Sequence, residues 1–242
     1  MKTNLRQSEQ PLTFVLSNFA HQPRWVAWVT EIRNDEPTKV PKNPRTGGNA
    51  ASNEPTTWDT REAAEKRWHR IRTNHEDAIG GIGIVLGQLP DGLYLLGIDL
   101  DGCIDRKQLV ADWAQEVLER FCTYSEVSPS GRGIKSFFLM TATDFSKLQR
   151  LLGNNEKGKP RTRKSFTAGK HHEVAIDTTR YFTVTDDYQA LSSEDLRLVS
   201  FEDVEWLVTD LGPRFLRQHR KPTGPTAKAA KPTMTRDESG SG

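Results

Sequence analysis

Residues 93–102 read LYLLGIDLDG, an apolar run that ends in two aspartates one residue apart. With Gly97 ahead of the aspartates and Gly102 behind them, this pattern predicts a buried strand that reaches a sheet edge. Side chains alternate along a strand, so Asp99 and Asp101 leave on one face with Cα atoms roughly 6.6 Å apart. Two carboxylates converging there repel one another unless a cation lies between them. Hard divalent ions such as magnesium or manganese take oxygen ligands of this kind, and a metal pair about 3.5–4 Å apart is a recurrent device for nucleotidyl transfer. The same residues also suit a solvated strand-to-turn junction, and the remainder of the chain has to decide.

A chain of 242 residues can bury one good-sized core, or one core and a small appendage. Its 34 basic and 32 acidic residues nearly cancel, so global charge selects no partner and local charge must. Cys103 and Cys122 stand without a CxxC or Cys/His ligand spacing, which excludes a disulfide framework or a zinc set and implies a reducing compartment. No stretch has the length of a membrane span, and MKTNLRQSEQPL lacks the apolar core of a secretion signal. The expected location is cytoplasmic, with no membrane partner.

Residues 1–22 read as an N-terminal extension with one short apolar patch, FVLSNF, able to form a helical turn. PRWVAWV (23–29) predicts a strand. The stretch 39–58, KVPKNPRTGGNAASNEPTTW, has loop chemistry throughout and carries Lys39, Lys42 and Arg45 beside Gly47 and Gly48. It suits either a flexible surface loop or an anion site. A helix follows over 58–71, with Asp59 as its cap and Glu62 completing a capping box. GGIGIVLG (80–87) predicts a strand that forms a hairpin with the aspartate strand or lies beside it in one sheet. Residues 107–122 predict an amphipathic helix whose Leu109, Trp113, Val117 and Phe121 face a core.

In SEVSPSGRGIKSFFLM (125–140) a serine- and glycine-rich turn leads into a strand, with Lys135 just past the turn. Amides and hydroxyls in such a turn can replace the water that phosphate loses; a plain hairpin loop has the same composition. After a helix capped by Thr143, residues 150–170 turn basic, including Lys159, Arg161, Arg163 and Lys164. A solvated loop and a surface tracking a nucleic-acid backbone both fit. HHEVAIDTTRYFTVTDD (171–187) reads as two strands joined around Asp177 to Thr179, with Glu173 and Asp177 on one face and Arg180 and Tyr181 opening the returning strand. A helix capped near Ser200 ends the expected domain at residue 212, and residues 213–242 have the composition of a disordered linker or tail.

In order and spacing these blocks resemble the primase-polymerase domain of phage and plasmid replication proteins, within the archaeo-eukaryotic primase superfamily. The resemblance spans roughly residues 23–210. Asp99 and Asp101 match its Asp-x-Asp metal motif, and Ser128, Ser130, Gly131 and Gly133 match its Ser-Pro-Ser-Gly-x-Gly turn. Lys135 stands where most members carry a nucleotide-binding His, keeping a cation but no imidazole. The acid expected six residues before Arg180 falls on Val174, so Glu173 and Asp177 both stand as candidates for the third carboxylate, Glu173 placed first.

The resemblance implies an α+β fold, with an RRM-like catalytic sheet packed against an N-terminal α/β unit. It implies template-directed nucleotidyl transfer by two Mg2+ or Mn2+ ions on Asp99, Asp101 and the third acid. Ser128, Ser130, Gly131, Arg132, Gly133, Lys135 and Arg180 would hold a nucleoside triphosphate, and Tyr181 would lie against its sugar. Lys39, Lys42, Arg45 and the basic 157–170 stretch would face single-stranded DNA template and primer, and the tail would join a helicase domain or protein. Two rivals remain at this point. DLDGCID also resembles the first motif of haloacid-dehalogenase-like phosphatases, with Asp186-Asp187 as the later acidic pair. A catalytically silent primase-like module would bind DNA or recruit a partner.

Overall fold

The computed structural model describes residues 15–219. Two antiparallel sheets and five α-helices make an α+β fold. Strands β1 (Trp25–Arg33), β2 (Glu36–Lys42) and β3 (Gly80–Val85) join β10 (Tyr181–Val184) in a four-stranded sheet ordered β10-β3-β1-β2, with α1 (Arg61–Asn74) connecting β2 to β3. The six-stranded sheet is ordered β6-β7-β5-β9-β8, from β5 (Tyr94–Asp101), β6 (Ser125–Val127), β7 (Ile134–Met140), β8 (Arg163–Ala168) and β9 (His172–Asp177). The short β4 (Gly87–Gln88) pairs with the start of β5. Helices α2 (Asp112–Phe121), α3 (Ala142–Leu152), α4 (Phe201–Trp206) and α5 (Gly212–His219) complete the order.

Alternation on the central strands sorts residues between two cores. Leu96, Ile98 and Leu100 of β5, with Val174 and Ile176 of β9, pack under Val117, Phe121, Leu148 and Phe215 of the helices. The opposite face turns toward the four-stranded sheet, where Leu95, Phe137 and Leu139 meet Ile82, Ile84 and Phe182. That second face is the one that carries Asp99 and Asp101. Phe182 of β10 lies over Gly97 of β5 and holds the two sheets together.

Several expectations are corrected by these pairings. β3 and β5 belong to different sheets, and among the described residues the segment between them pairs with β5 through β4, at Leu95 and Tyr94. β9 and β10 likewise separate: the chain leaves the six-stranded sheet after Asp177 and enters the other at Tyr181. Part of the expected 39–58 loop is strand, with Val40 buried and Lys39 to Lys42 paired to β1. The cap of α1 is Thr60, whose hydroxyl accepts from Ala63 N, because Asp59 is engaged in backbone pairing with Trp25. Thr141, not Thr143, caps α3 by accepting from Asp144 N. α2 starts only at Asp112, which leaves Leu109 exposed. The 150–170 stretch contains β8 rather than loop alone.

The packed body also passes both expected boundaries. Leu16 and Phe19, in a short 3-10 turn, are buried in the second core. At the other end α4 widens into a π-turn at Leu207–Leu211 and continues as α5, where Phe215 is buried. Pro213 comes just after the π-turn, inside a helix that runs on without a break. The rest of the expected tail, residues 220–242, lies outside the described residues, as does the start of the N-terminal extension. Among the described residues no helix is long and apolar enough to cross a membrane.

Candidate active site

β5 and β9 run antiparallel with Asp101 opposite Glu173 and Asp99 opposite Ala175. This register, combined with the side-chain alternation, brings Asp99, Asp101 and Glu173 to one face, with a ligand oxygen of each within 4.8 Å of the others. Three carboxylates so close suit a hard cation, and their oxygen-only donor set fits magnesium or manganese. The Asp101 carboxyl is held above its ordinary range: loss of water in the site is the main cause, and the charges of Asp99 and Glu173 add to it.

Basic side chains on adjacent strands meet these acids. Lys135, opposite Asp99 in the β5–β7 register, donates from Nζ to Asp99 Oδ1 at 2.6 Å and lies 4.7 Å from the Phe182 ring centre. Arg163 of β8 pairs with Glu173, which also accepts from Thr167 Oγ1 at 2.8 Å. Asp177 sits further along β9, opposite Gly97 and fully buried. Arg163 Nη1 stands 3.2 Å from one of its oxygens and Arg180 Nε 3.5 Å from the other, charge contacts without hydrogen-bond alignment. Burial pushes the Asp177 carboxyl up to about 6 against the opposing pull of the two guanidiniums. Glu173 joins the cluster, while Asp177 lies behind it and anchors arginines.

A cleft of about 520 Å³ opens between the sheets over Asp99 and Asp101. Lys135, Arg180, Tyr181 and Lys39 line it, with an apolar wall of Pro41, Ala50 and Ala51 and a polar rim of Ser52 and Asn53. Lys39 reaches in from β2 beside the Trp28 ring, at 5.6 Å from its centre. The cleft walls lower its ammonium pKa, Lys135 adds to that effect, and Asp99 and Asp101 oppose it. Tyr181 Oη donates to Lys39 O at 2.7 Å, which ties β10 to β2 across the floor.

The serine–glycine turn is bonded largely within itself. The amides of Ser128, Gly131 and Arg132 are all satisfied inside the turn, and Ser128 and Ser130 hydroxyls bond each other at 3.0 Å. It packs tightly on the end of β5: a Cβ at Gly133 would stand 2.9 Å from Leu100 O and 3.1 Å from Asp101 Oδ1. Ser130 and Arg132 border a second depression of about 420 Å³, on the other side of Asp101, together with Thr167, Lys170, His171, His172 and Glu173.

The expected nucleic-acid contacts divide. Lys39 faces the cleft and Arg163 belongs to the carboxylate site. Lys42 is committed to Glu31 at 2.5 Å and Asn49 at 2.8 Å. Arg45 donates to Thr56 O and faces Asp59, holding the 44–58 loop. Lys164 lies against the Phe166 ring, whereas Lys159 and Arg161 sit in the exposed turn before β8. Asp186, the acid wanted by the phosphatase alternative, pairs with Arg61 and lines a separate depression with Trp28 and Trp68. Sequence reading missed the pairing role of Arg163, for which the signal was its odd spacing from Phe166 and Ala168, which puts it on the opposite face of the strand from that apolar pair. Lys170 closes the basic 157–170 stretch already expected to face nucleic acid, and His171 and His172, which border the second depression beside it, carried no assignment.

Fold and site together define an α+β protein with a three-carboxylate centre facing a cation-lined cleft, a surface suited to phosphate chemistry. No family model matches the chain. Over 127 residues it is 32% identical to a protein described as DNA Primase-polymerase from Nitratiruptor phage NrS-1. The aligned stretch covers 52% of this chain and 16% of that protein. The similarity supports a relationship with primase-polymerases over about half of the chain, and it concerns a small part of the phage protein.

Proposed function

We propose that this chain carries out template-directed nucleotidyl transfer, as a DNA primase, a DNA polymerase or both, in phage- or plasmid-type replication within a host cytoplasm. We read the six-stranded sheet as the RRM-like catalytic sheet of an archaeo-eukaryotic primase fold. The observation that carries the proposal is the meeting of Asp99, Asp101 and Glu173 on the sheet face that looks into a cleft lined by Lys39, Lys135 and Arg180. Similarity to a phage primase-polymerase supports the same reading.

Asp99, Asp101 and Glu173 would hold two Mg2+ or Mn2+ ions, which when bound supply a lowered pKa for a 3′-hydroxyl and charge neutralisation at the α-phosphate. In the reaction the 3′-oxygen bonds to the α-phosphorus, the bond from that phosphorus to the bridging β-oxygen breaks, pyrophosphate leaves and the hydroxyl proton passes to water. Lys39, Lys135 and Arg180 bind the triphosphate by charge-assisted hydrogen bonds. Pro41, Ala50 and Ala51 offer the base an apolar wall, and Tyr181, pinned by its bond to Lys39 O, lies where the sugar would pass. Asp177 is a positioning residue that orients Arg163 and Arg180. Single-stranded DNA template and primer are the partners, and the segment beyond residue 219 would connect to a helicase.

The test is incorporation of labelled nucleotides on single-stranded and primed templates with either metal, for wild type beside Asp99→Ala/Asp101→Ala. The expected result is incorporation by wild type that the double variant abolishes. Because Lys135 and Arg163 already neutralise Asp99 and Glu173, a silent DNA-binding module is the rival. DNA binding without any incorporation by wild type would establish it.

A further inference from the structure

We propose that the β8–β9 turn seats the phosphate groups of the nucleotide that brings the attacking 3′-hydroxyl, through Lys170, His171 and His172. The inference rests on the nucleotidyl-transfer reading and assigns the partner of a surface outside the triphosphate cleft.

Sheet order supplies the first argument. β7, which carries Lys135, lies on one side of β5, and β9 and β8 lie on the other. The carboxylates on β5 and β9 therefore separate the Lys135 side from the β8–β9 turn. In phosphoryl transfer the attacking and leaving oxygens are roughly in line across the phosphorus. With the triphosphate drawn toward Lys39, Lys135 and Arg180, the nucleophile has to arrive from the opposite side. The second depression runs past the end of β5 from Ser130 and Arg132 of the β6–β7 turn to the β8–β9 turn, and Asp101 lines both volumes, so the approach from the β8–β9 turn meets the triphosphate cleft at the carboxylates.

Chemistry supplies the second argument. Lys170, His171 and His172 are exposed, and among the described residues none of the three forms an ion pair with a carboxylate. Their ammonium and ring N–H groups are free for a ligand that offers acceptor oxygens. Phosphate esters on a strand end meet that requirement.

Placement supplies the third. The β8–β9 hairpin closes with Ala168 opposite His172, so residues 169–171 form its tip. Gly102, at φ +68, follows Asp101 directly, and a Cβ there would stand 2.0 Å from His171 O. The tip is thus pressed against the chain that carries the catalytic acids, at a position only glycine permits. A tip fixed in this way positions a ligand instead of sampling solvent.

The strand bringing the hydroxyl has two sources, a primer terminus or a free initiating nucleoside triphosphate. Steady-state extension of a primed template would be compared for wild type, Lys170→Glu/His172→Ala and Arg180→Ala, alongside primer-free dinucleotide synthesis. The expected result for the turn variant is a rise of about tenfold in KM for the primer terminus, with KM for the nucleotide within twofold; Arg180→Ala should show the reverse. In metal-free anisotropy with a labelled primer–template, the turn variant should also lower the salt dependence, log K against log salt, by about one for the lost phosphate contact. Both substituted side chains are exposed, and an unchanged melting temperature would confirm folding. If dinucleotide synthesis falls by the same factor, the initiating triphosphate shares the seat; if it does not, the seat serves the primer alone. Wild-type incorporation with primer KM unchanged in the turn variant would overturn the inference and leave the nucleotidyl-transfer reading intact. No incorporation by wild type would overturn that reading first.

Discussion

The two sheets meet across one cleft but equip it in opposite ways. Three acids on the six-stranded sheet have basic partners, Asp99 with Lys135, Glu173 with Arg163, and Asp177 with Arg163 and with Arg180 of the link to β10, whereas Asp101 forms no ion pair among the described residues. The four-stranded sheet contributes Lys39, Tyr181 and Thr183, and among the described residues Lys39 has no carboxylate partner in ion-pair contact. The first sheet thus neutralises most of its acids itself and holds them in place by strand register. The second presents a cation whose partner must come from a ligand. A site divided this way lets the acids be held rigidly while the opposing wall responds to what enters.

The largest expected effect lies on the acidic side. Asp101→Asn should lower incorporation by at least about a hundredfold, with the melting temperature unchanged or raised, since it removes a carboxyl that its neighbours already disfavour in the charged form. A matching loss of stability would show the cluster to be structural. Lys39→Ala, on the other wall, should raise KM for the nucleotide by about tenfold, the worth of one charged hydrogen bond, with kcat retained. An equal effect of the two substitutions on kcat would erase the contrast between the sheets.

Asp177 gives a pH test of the balance. Its carboxyl is raised to about 6 in the fold, so folding favours its protonated form relative to the unfolded chain. The corresponding stability is present below about pH 4 and is lost as pH rises through about 6. Asp177→Asn should accordingly stabilise the protein above pH 6, by roughly 3 kcal/mol at most, with the gain vanishing toward pH 4 in urea titrations. A destabilised variant at pH 8 would mean that the contacts with Arg163 and Arg180 outweigh the cost of burial. The smallest effect is expected for Tyr181→Phe, which loses the bond to Lys39 O and about 1 kcal/mol of stability. Its nucleotide KM should move less than that of Lys39→Ala.

How much of this was legible in the sequence follows from the range of each signal. Alternation is local, so the shared face of Asp99 and Asp101, and that of Glu173 and Asp177, could be read directly. Lys135 was legible for the same reason, as it opens a strand behind a turn. Pairing between strands distant in sequence is not local. The separation of β3 from β5, and of β9 from β10, depends on the chain crossing between sheets at residues 178–180, and nothing in TTR marks such a crossing. Arg163 looked like one charge among many in a basic stretch until β8 set it beside Glu173. Pro213 suggested an end because the preceding π-turn, which lets the helix continue there, has no composition of its own.

The central claim is that one face of the six-stranded sheet holds metal and nucleotide together. Its most direct test is Mn2+ binding, measured by electron paramagnetic resonance with and without a non-hydrolysable nucleoside triphosphate, for wild type and Asp101→Asn. The account predicts Mn2+ binding by wild type that tightens when the triphosphate is added, with both binding and tightening lost in the variant. Wild type that binds no Mn2+ in the presence of the triphosphate, or a variant that binds it as wild type does, would contradict it.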